Sequence, residues 1–373
     1  MANTLETKTP EQLSAALQSY NDHQGTIPDQ FTVLDEYLHD LPVGEFCGSF
    51  RELQKIVTGV YDYLRENPQT IGLVAADKKT GTLTVQTSQH ISCVKKLLYA
   101  AGRFSAFESH ALVISFNDFM NAYMTYFRNC SVELSEKINV YEPDKQRKFF
   151  QSKHLRAVFA CLEAFGFEMG GIGAEAHDIT AITIRYPRRP SVIPVIKAFA
   201  APRICRVSFG LDYTKFNHRV FAHGAEARLP LKDLYSFTLL PDAHKVFMQQ
   251  LDEAMRMAGT NYGEAAGGWY HGTLPCQYNY KNKVRILQNV EHGLMPYAVL
   301  RYKPRERIER LLASIPEAVL SGMGRCRGCV KGECGTRVTA AVPGGKKYVL
   351  CTGWLAFPPI PEAVPFIVKA YKI

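Results

Sequence analysis

The chain reads as an α+β protein in several parts, and three observations lead there. Helical apolar stripes dominate up to about residue 167, strand-type alternation follows in short runs, and a compact group of cysteines interrupts the last third. The expected order is a helix-rich N-terminal domain, a small middle α/β segment, and a C-terminal antiparallel sheet with flanking helices and a Cys-rich metal loop. By number this gives a polar leader over 1–28, a helix-rich domain over 29–175, a small mixed segment over 176–237 and a basic α+β domain over 238–373. The 373 residues, 46% hydrophobic and 21% charged, are enough to bury a core without disulfides.

The helical half is read from spacing. Leu53, Ile56, Val57, Val60, Tyr61 and Leu64 form one stripe over Phe50–Leu64, ended by Glu66-Asn67-Pro68. Ile71–Ala75 and Gly81–Thr87 are short strands around a turn at Lys78–Gly81. Ile91–Ala101 is a helix that stops before Gly102. Phe116–Phe127 is another, with Ser115 or Asn117 as its cap, and His154–Phe165 is a third, closed by Gly166.

Beyond 176 the pattern changes. Ile179–Tyr186 alternates as a strand and Pro187–Pro190 breaks it. Val192–Phe199 is a short helix, and Arg206–Phe209 and His218–Ala222 are short strands. Pro241–Met257 is a long helix with Asp242 as cap and Val246, Leu251, Ala254, Met255 and Ala258 on its buried face. A loop rich in glycine (Gly259, Gly263, Gly267, Gly268) follows. Strands are expected over Trp269–Tyr280, Val284–Val290 and Tyr297–Tyr302, with a hairpin turn at Asn279–Lys283. Pro304 opens a helix through Ala313. Tyr348–Phe357 reads as one strand, Pro358-Pro359 ends it, and Pro361 opens a last helix to Tyr371.

The helix Pro241–Met257, the aromatic run Trp269–Tyr280 behind it and the ending LAFPPIPEAVPFIVKAY resemble the YdhG-like small bacterial α+β domain, also described as frataxin-like iron-chaperone homologues. The resemblance covers residues 238–373 and implies a topology there. It carries over no functional residue, and the cysteine loop departs from the pattern of that family.

The main chemical signal is Cys326-x2-Cys329-x4-Cys334-x16-Cys351. Two thiolates separated by two residues bite one ion from a tight turn. Gly324, Gly328, Gly332 and Gly335 let the backbone bend around it. Cys334 closes the loop and Cys351 reaches in from a strand. Four protein ligands around zinc leave no open position for water, so the expected zinc is structural rather than catalytic. An iron–sulfur cluster and a metal-free CxxC are the competing readings. The thioredoxin-type strand-then-helix context of a redox CxxC is missing.

Charge is unevenly spread. From Thr238 to the end, 18 Lys and Arg face 10 Asp and Glu, a net +8 of the chain's +9. An anionic partner is one reading. The other is local compensation. Arg325, Arg327, Lys331 and Arg337 crowd a zinc–tetrathiolate of charge −2, while Arg301, Lys303, Arg305, Arg307 and Arg310 are interleaved with Glu306 and Glu309. Compensation is the favoured of the two.

The remaining six cysteines (Cys47, Cys93, Cys130, Cys161, Cys205, Cys276) are far apart and mostly flanked by apolar residues, as expected of buried thiols in a reducing cytoplasm. No apolar stretch approaches the ~20 residues of a membrane helix, and a secretory signal is not expected. Metalloprotease, serine-hydrolase, phosphate-loop and dinucleotide motifs are absent from the sequence. The glycine-rich run Glu168–Gly173 follows a helix and precedes a strand, the wrong order for cradling phosphate.

The first expectation is therefore a cytosolic bacterial-type binding or interaction protein with a structural zinc site. The second is a nucleic-acid-binding regulator using a winged-helix-like unit near 152–187, with Lys153, Arg156, Arg185, Arg188 and Arg189, or the basic C-terminal domain. The third is an enzyme with a pocket near Trp269–Tyr280 and His271.

Overall fold

A computed structural model describes residues 24–67, 74–76, 83–85, 93–108, 110–118, 153–171, 181–202, 216–227, 229–238, 240–259, 262–264, 278–280, 284–289, 295–300, 305–324, 337–341, 346–351 and 355–372. Helices and antiparallel strands are mixed along the chain, an α+β arrangement. It forms two compact units, Met1–Leu229 and Pro230–Ile373.

In the first unit the elements are α1 (Asp35–Leu38), α2 (Val43–Glu66), β1 (Val74–Ala76), β2 (Leu83–Val85), α3 (Cys93–Phe104), β3 (Ala106–Glu108), β4 (Ala111–Ser115), α4 (Lys153–Ala164), β5 (Glu168–Gly170), β6 (Ala181–Arg185) and α5 (Val192–Phe199). The stripe of α2 extends one turn further back than its periodicity suggests, and buries Phe46, Cys47 and Phe50 as well as Leu53 through Leu64. Phe50 is the hub. Its ring centroid lies 4.7 Å from Phe199, 5.1 Å from Phe221, 5.7 Å from Phe216 and 5.8 Å from Phe31, with edge-to-face geometry at Phe199 and Phe221. Such edge-on pairs add to simple area burial because ring edges and faces carry opposite partial charge.

α5 is apolar nearly all round, and Val192, Ile193, Val195, Ile196, Ala198 and Phe199 are all buried. A helix of that composition belongs inside a domain. Pro194 is tolerated because it sits in the first turn, where the backbone N–H has no intrahelical partner. α5 packs against α2 and α3. The turn entering it is fastened to α2: Ser49 and Ser191 share a buried 2.8 Å hydroxyl bond, and the Arg189 guanidinium rests against Gly48.

α3 runs straight through Gly102 instead of ending before it. A Cβ at that position would stand 2.5 Å from the Ile196 carbonyl oxygen, so glycine here permits a close helix crossing and is not a stop signal. Gly166 does close α4, with φ of +94°. Ser115 caps the helical residues 116–118, accepting from the Asp118 amide at 3.0 Å and donating to the Asp118 carboxylate at 2.7 Å. The rest of the expected Phe116–Phe127 helix lies outside the described residues, as does the strand expected at Arg206–Phe209.

β3, β4, β6 and β5 form an antiparallel sheet in that order. Leu112 faces Ile184 and Ile114 faces Ile182 across the β4–β6 ladder, all four buried. This ladder joins residues on either side of position 176. His218–Ala222 is a 3-10 helix, not a strand. Asn217 at its start accepts from the Arg219 amide, and that local bond favours a turn over an extended ladder.

In the second unit come α6 (Tyr235–Thr238), α7 (Asp242–Met257), β7 (Tyr262–Glu264), β8 (Tyr278–Tyr280), β9 (Val284–Asn289), β10 (Met295–Leu300), α8 (Arg305–Leu312), α9 (Glu317–Gly322), β11 (Arg337–Ala341), β12 (Lys347–Cys351), β13 (Leu355–Phe357) and α10 (Val364–Lys372). α7 buries Phe247, Met248, Leu251 and Met255 against α10, so its inner face is turned from the expected one and Val246 is exposed. Pro241, not Asp242, holds the cap position. Asp242 lies in the first turn and pairs with Lys245 at 3.0 Å.

An antiparallel sheet runs β13-β10-β9-β8-β7. β7 passes through Gly263, where a loop was expected, and pairs with β8. The expected single strand over Tyr348–Phe357 is two: β12 pairs with β11, while β13 pairs with β10 in the larger sheet. Pairing partners in two sheets require the break, which alternation along one segment does not reveal. No helix among the described residues is long and apolar enough to cross a membrane.

Candidate metal centre

Of the four expected ligands, Cys351 has a described backbone position. It is the last residue of β12, and its partner across the ladder is Arg337, the first residue of β11. Cys326, Cys329 and Cys334 fall in 325–336, outside the described residues. Both flanks of that segment are described, and both are anchored close in sequence to Cys351.

On the upstream side, α9 leads into Gly324, whose amide donates to the Ala356 carbonyl in β13 at 3.0 Å. Two glycines allow this close approach. A Cβ on Gly322 would meet the Pro358 Cβ at 2.9 Å, and one on Gly324 would meet the Ala356 Cβ at 3.0 Å. On the downstream side, Arg337 is placed opposite Cys351 by the ladder itself. Paired Cα atoms in such a ladder stand about 5 Å apart. The three-residue link from Cys334 to Arg337 spans at most about 11 Å. Cys326 follows the anchored Gly324 by two residues.

A third fastening joins the same two stretches. Tyr348 in β12 is buried, and its hydroxyl donates to Glu317 Oε1 at the start of α9 over 3.0 Å. Lys346 reaches the same oxygen at 3.3 Å. The Tyr348 hydroxyl and the Lys346 ammonium hold the Glu317 carboxyl below its ordinary pKa, while the Lys346 ammonium is held above its own by Tyr348 and Glu317. Nothing in the spacing of Glu317, Lys346 and Tyr348 marks them in the sequence. The only hint is that Lys346 and Tyr348 alternate onto one side of a strand.

The arrangement sets the downstream end of the Cys-containing segment opposite Cys351 in β12 and ties the upstream end to Ala356 in β13, five residues further along the chain. Among the described residues no three His, Cys, Asp or Glu side chains converge, and three of the four cysteines lie outside them.

The other expected sites fare differently. His271 and most of Trp269–Tyr280 are outside the described residues. Only Tyr278–Tyr280 is placed, as a strand flanked on both sides by β7 and β9. In the winged-helix-like stretch, β5 and β6 belong to the four-stranded sheet, and Arg189 is engaged by α2 rather than open to a partner. Arg188 hydrogen-bonds Tyr186. Arg185 is exposed.

Cys47 and Cys161 are free and buried, and burial pushes the Cys161 thiol up to about 11, away from reactivity. Other ionisable groups are embedded in packing. The Lys95 ammonium, 1% exposed, lies 4.9 Å from the Tyr61 ring centroid and 5.9 Å from that of Phe216. Buried Asp252 pairs with Arg256 one turn on. Compared with protein-family models, with curated proteins and with solved structures, the chain gives no match.

Proposed function

We propose that this is a cytosolic, non-enzymatic binding or interaction protein whose C-terminal unit is fastened by a structural zinc ion on Cys326, Cys329, Cys334 and Cys351. The observation that supports it most is the ladder partnership of Arg337 with Cys351, together with the Gly324–Ala356 bond that anchors the other end of the segment. Zinc takes four thiolates at about 2.3 Å in a tetrahedron and, with all four positions filled by protein, supplies fold rather than chemistry. In this reading 238–373 is a YdhG-like α+β domain to which the metal loop has been added.

Elemental analysis of the purified protein tests the proposal directly. About one zinc per chain is expected, lost in Cys329→Ser together with order in the C-terminal unit. A well-folded, metal-free wild type would overturn it.

The net +8 carried from Thr238 onward favours a second reading, binding of nucleic acid by the C-terminal unit. Contacts to phosphate weaken steeply with salt. Fluorescence anisotropy with labelled DNA and RNA at two salt concentrations separates the two readings, because a flat response at low salt removes the second.

A further inference from the structure

A cluster of cationic and imidazole side chains lies in the first unit, away from every expected cysteine ligand. α3 and α5 cross closely at Gly102, and the last turn of each carries a cation, Arg103 on α3 and Lys197 on α5. The Lys197 ammonium donates to the Ser105 carbonyl just past the end of α3. α1 also packs on α5, and the residue that ends it, His39, lies against the Phe107 ring of β3 with 5.7 Å between centroids. His110 meets the same ring edge-on at 6.3 Å. We infer that Arg103, Lys197 and His39 form an anion site that takes a phosphate group, either free or carried as a monoester on a small molecule. This goes beyond the zinc reading and does not depend on it.

Three observations support the site. The first is charge without compensation. Among the described residues neither Arg103 nor Lys197 has a carboxylate partner. Burial and then the Arg103 guanidinium lower the Lys197 pKa; burial and then Lys197 lower that of His39, with Asp40 opposing. The carbonyl end of a helix attracts a cation, which accounts for one at either helix. It does not account for two that repel each other at one place, a cost that a bound anion removes. The second is Ser105 Oγ, which is buried and has no hydrogen-bond partner among the described residues. Such atoms are rare in folded proteins, and an ion or water that completes them is a usual explanation. The third is backbone conformation. Non-glycine residues with positive φ are uncommon, and three of the four among the described residues border this cluster: His39 at +46°, Asp40 at +66° and His110 at +60°. Backbone strain of this kind collects at ligand sites.

The charge selects the ligand. A carboxylate would neutralise one cation, whereas a phosphate dianion matches both. Its oxygens can accept from a guanidinium fork, an ammonium and an imidazole N–H together. Lys197 uses one N–H on Ser105 and keeps two for such a ligand.

Isothermal titration of the full-length protein with inorganic phosphate and with phenyl phosphate, in chloride at matched ionic strength, tests the site. Arg103→Gln removes one charge from a part-exposed position and leaves the Lys197–Ser105 bond in place, and Lys197→Gln removes the other charge. Arg185→Gln, at an exposed position of β6, controls for a general loss of positive charge. Thermal unfolding with and without phosphate shows that each variant folds and whether the ligand stabilises it. Affinity should fall roughly tenfold in Arg103→Gln and in Lys197→Gln, the loss expected of one charge-assisted hydrogen bond, and stay unchanged in Arg185→Gln. Tighter binding of phenyl phosphate identifies an organic monoester packed on Phe107, and equal or weaker binding identifies free phosphate. A wild type that binds neither probe, or a folded Arg103→Gln protein that binds both as wild type does, would overturn the site and leave the zinc reading standing.

Discussion

The packing around Phe50 and the fastening around Cys351 solve the same problem by different means. In the first unit, Phe31, Phe46, Phe50, Phe199, Phe216 and Phe221 meet ring to ring, and apolar α5 is buried among helices. In the second, the stretch 317–324 is held to 346–358 by a carboxylate, a phenol, a lysine, one backbone bond and two glycine contacts. Burial of aromatic area is non-directional and needs no partner of fixed geometry. Polar contacts of this kind are directional, because each bond needs its partner at a fixed distance and angle. The unit held by dense packing is close to neutral, and the positive charge collects in the other.

The largest test of that contrast is removal of the hub. Phe50→Ala should destabilise the first unit by about 3–5 kcal/mol, the usual range for emptying a buried aromatic site. Unfolding by urea, followed separately in the two units by hydrogen exchange, should show the loss in Met1–Leu229. Zinc chelation should do the reverse, lowering protection of β11 and β12 and leaving α2 unaffected. Equal responses of both units to both treatments would erase the distinction.

Acid provides a second, somewhat smaller test within the first unit. The His218 ring lies tilted against Phe31, 5.1 Å between centroids, and burial, with Arg219 beside it, depresses its pKa to about 4 from 6.5. Its folded form therefore refuses a proton that the unfolded chain accepts. Its contribution is fully present above pH 6.5, declines as pH falls through the window between 6.5 and 4, and changes no further below about 4. The decline amounts to about 3 kcal/mol at most. His218→Gln should flatten the pH dependence of unfolding in that window. A dependence unchanged by the substitution would show that His218 is already accessible to water.

These regions also differ in how far they can be read from sequence. α2, α4, α5 and β6 follow their spacing because each has a single buried face or is buried throughout, so periodicity reports burial directly. Gly102 misleads because the same residue serves as a helix stop and as a place for another backbone to approach, and only the Ile196 carbonyl decides between them. Val246 misleads because the buried face of α7 is set by Phe247 and Met248, adjacent residues that shift the stripe. The β12–β13 break is invisible locally, since it depends on which strand each half pairs with. The cysteine spacing is legible in the sequence, and Cys351 is the one expected ligand whose backbone is described. The Tyr348–Glu317 bond joins residues 31 apart and leaves no trace in spacing.

The smallest effect bears on whether a single exposed tether means the same thing in both units. Ser115 caps residues 116–118 through the Asp118 amide and carboxylate, a local bond that the sequence does reveal. Ser115→Ala should cost about 1 kcal/mol of stability, and Ser115→Asn should recover most of it, because Asn supplies an acceptor at the same position. The loss should register in the first unit alone, with hydrogen exchange in Pro230–Ile373 unchanged. An equal loss of protection in both units would erase the distinction between them.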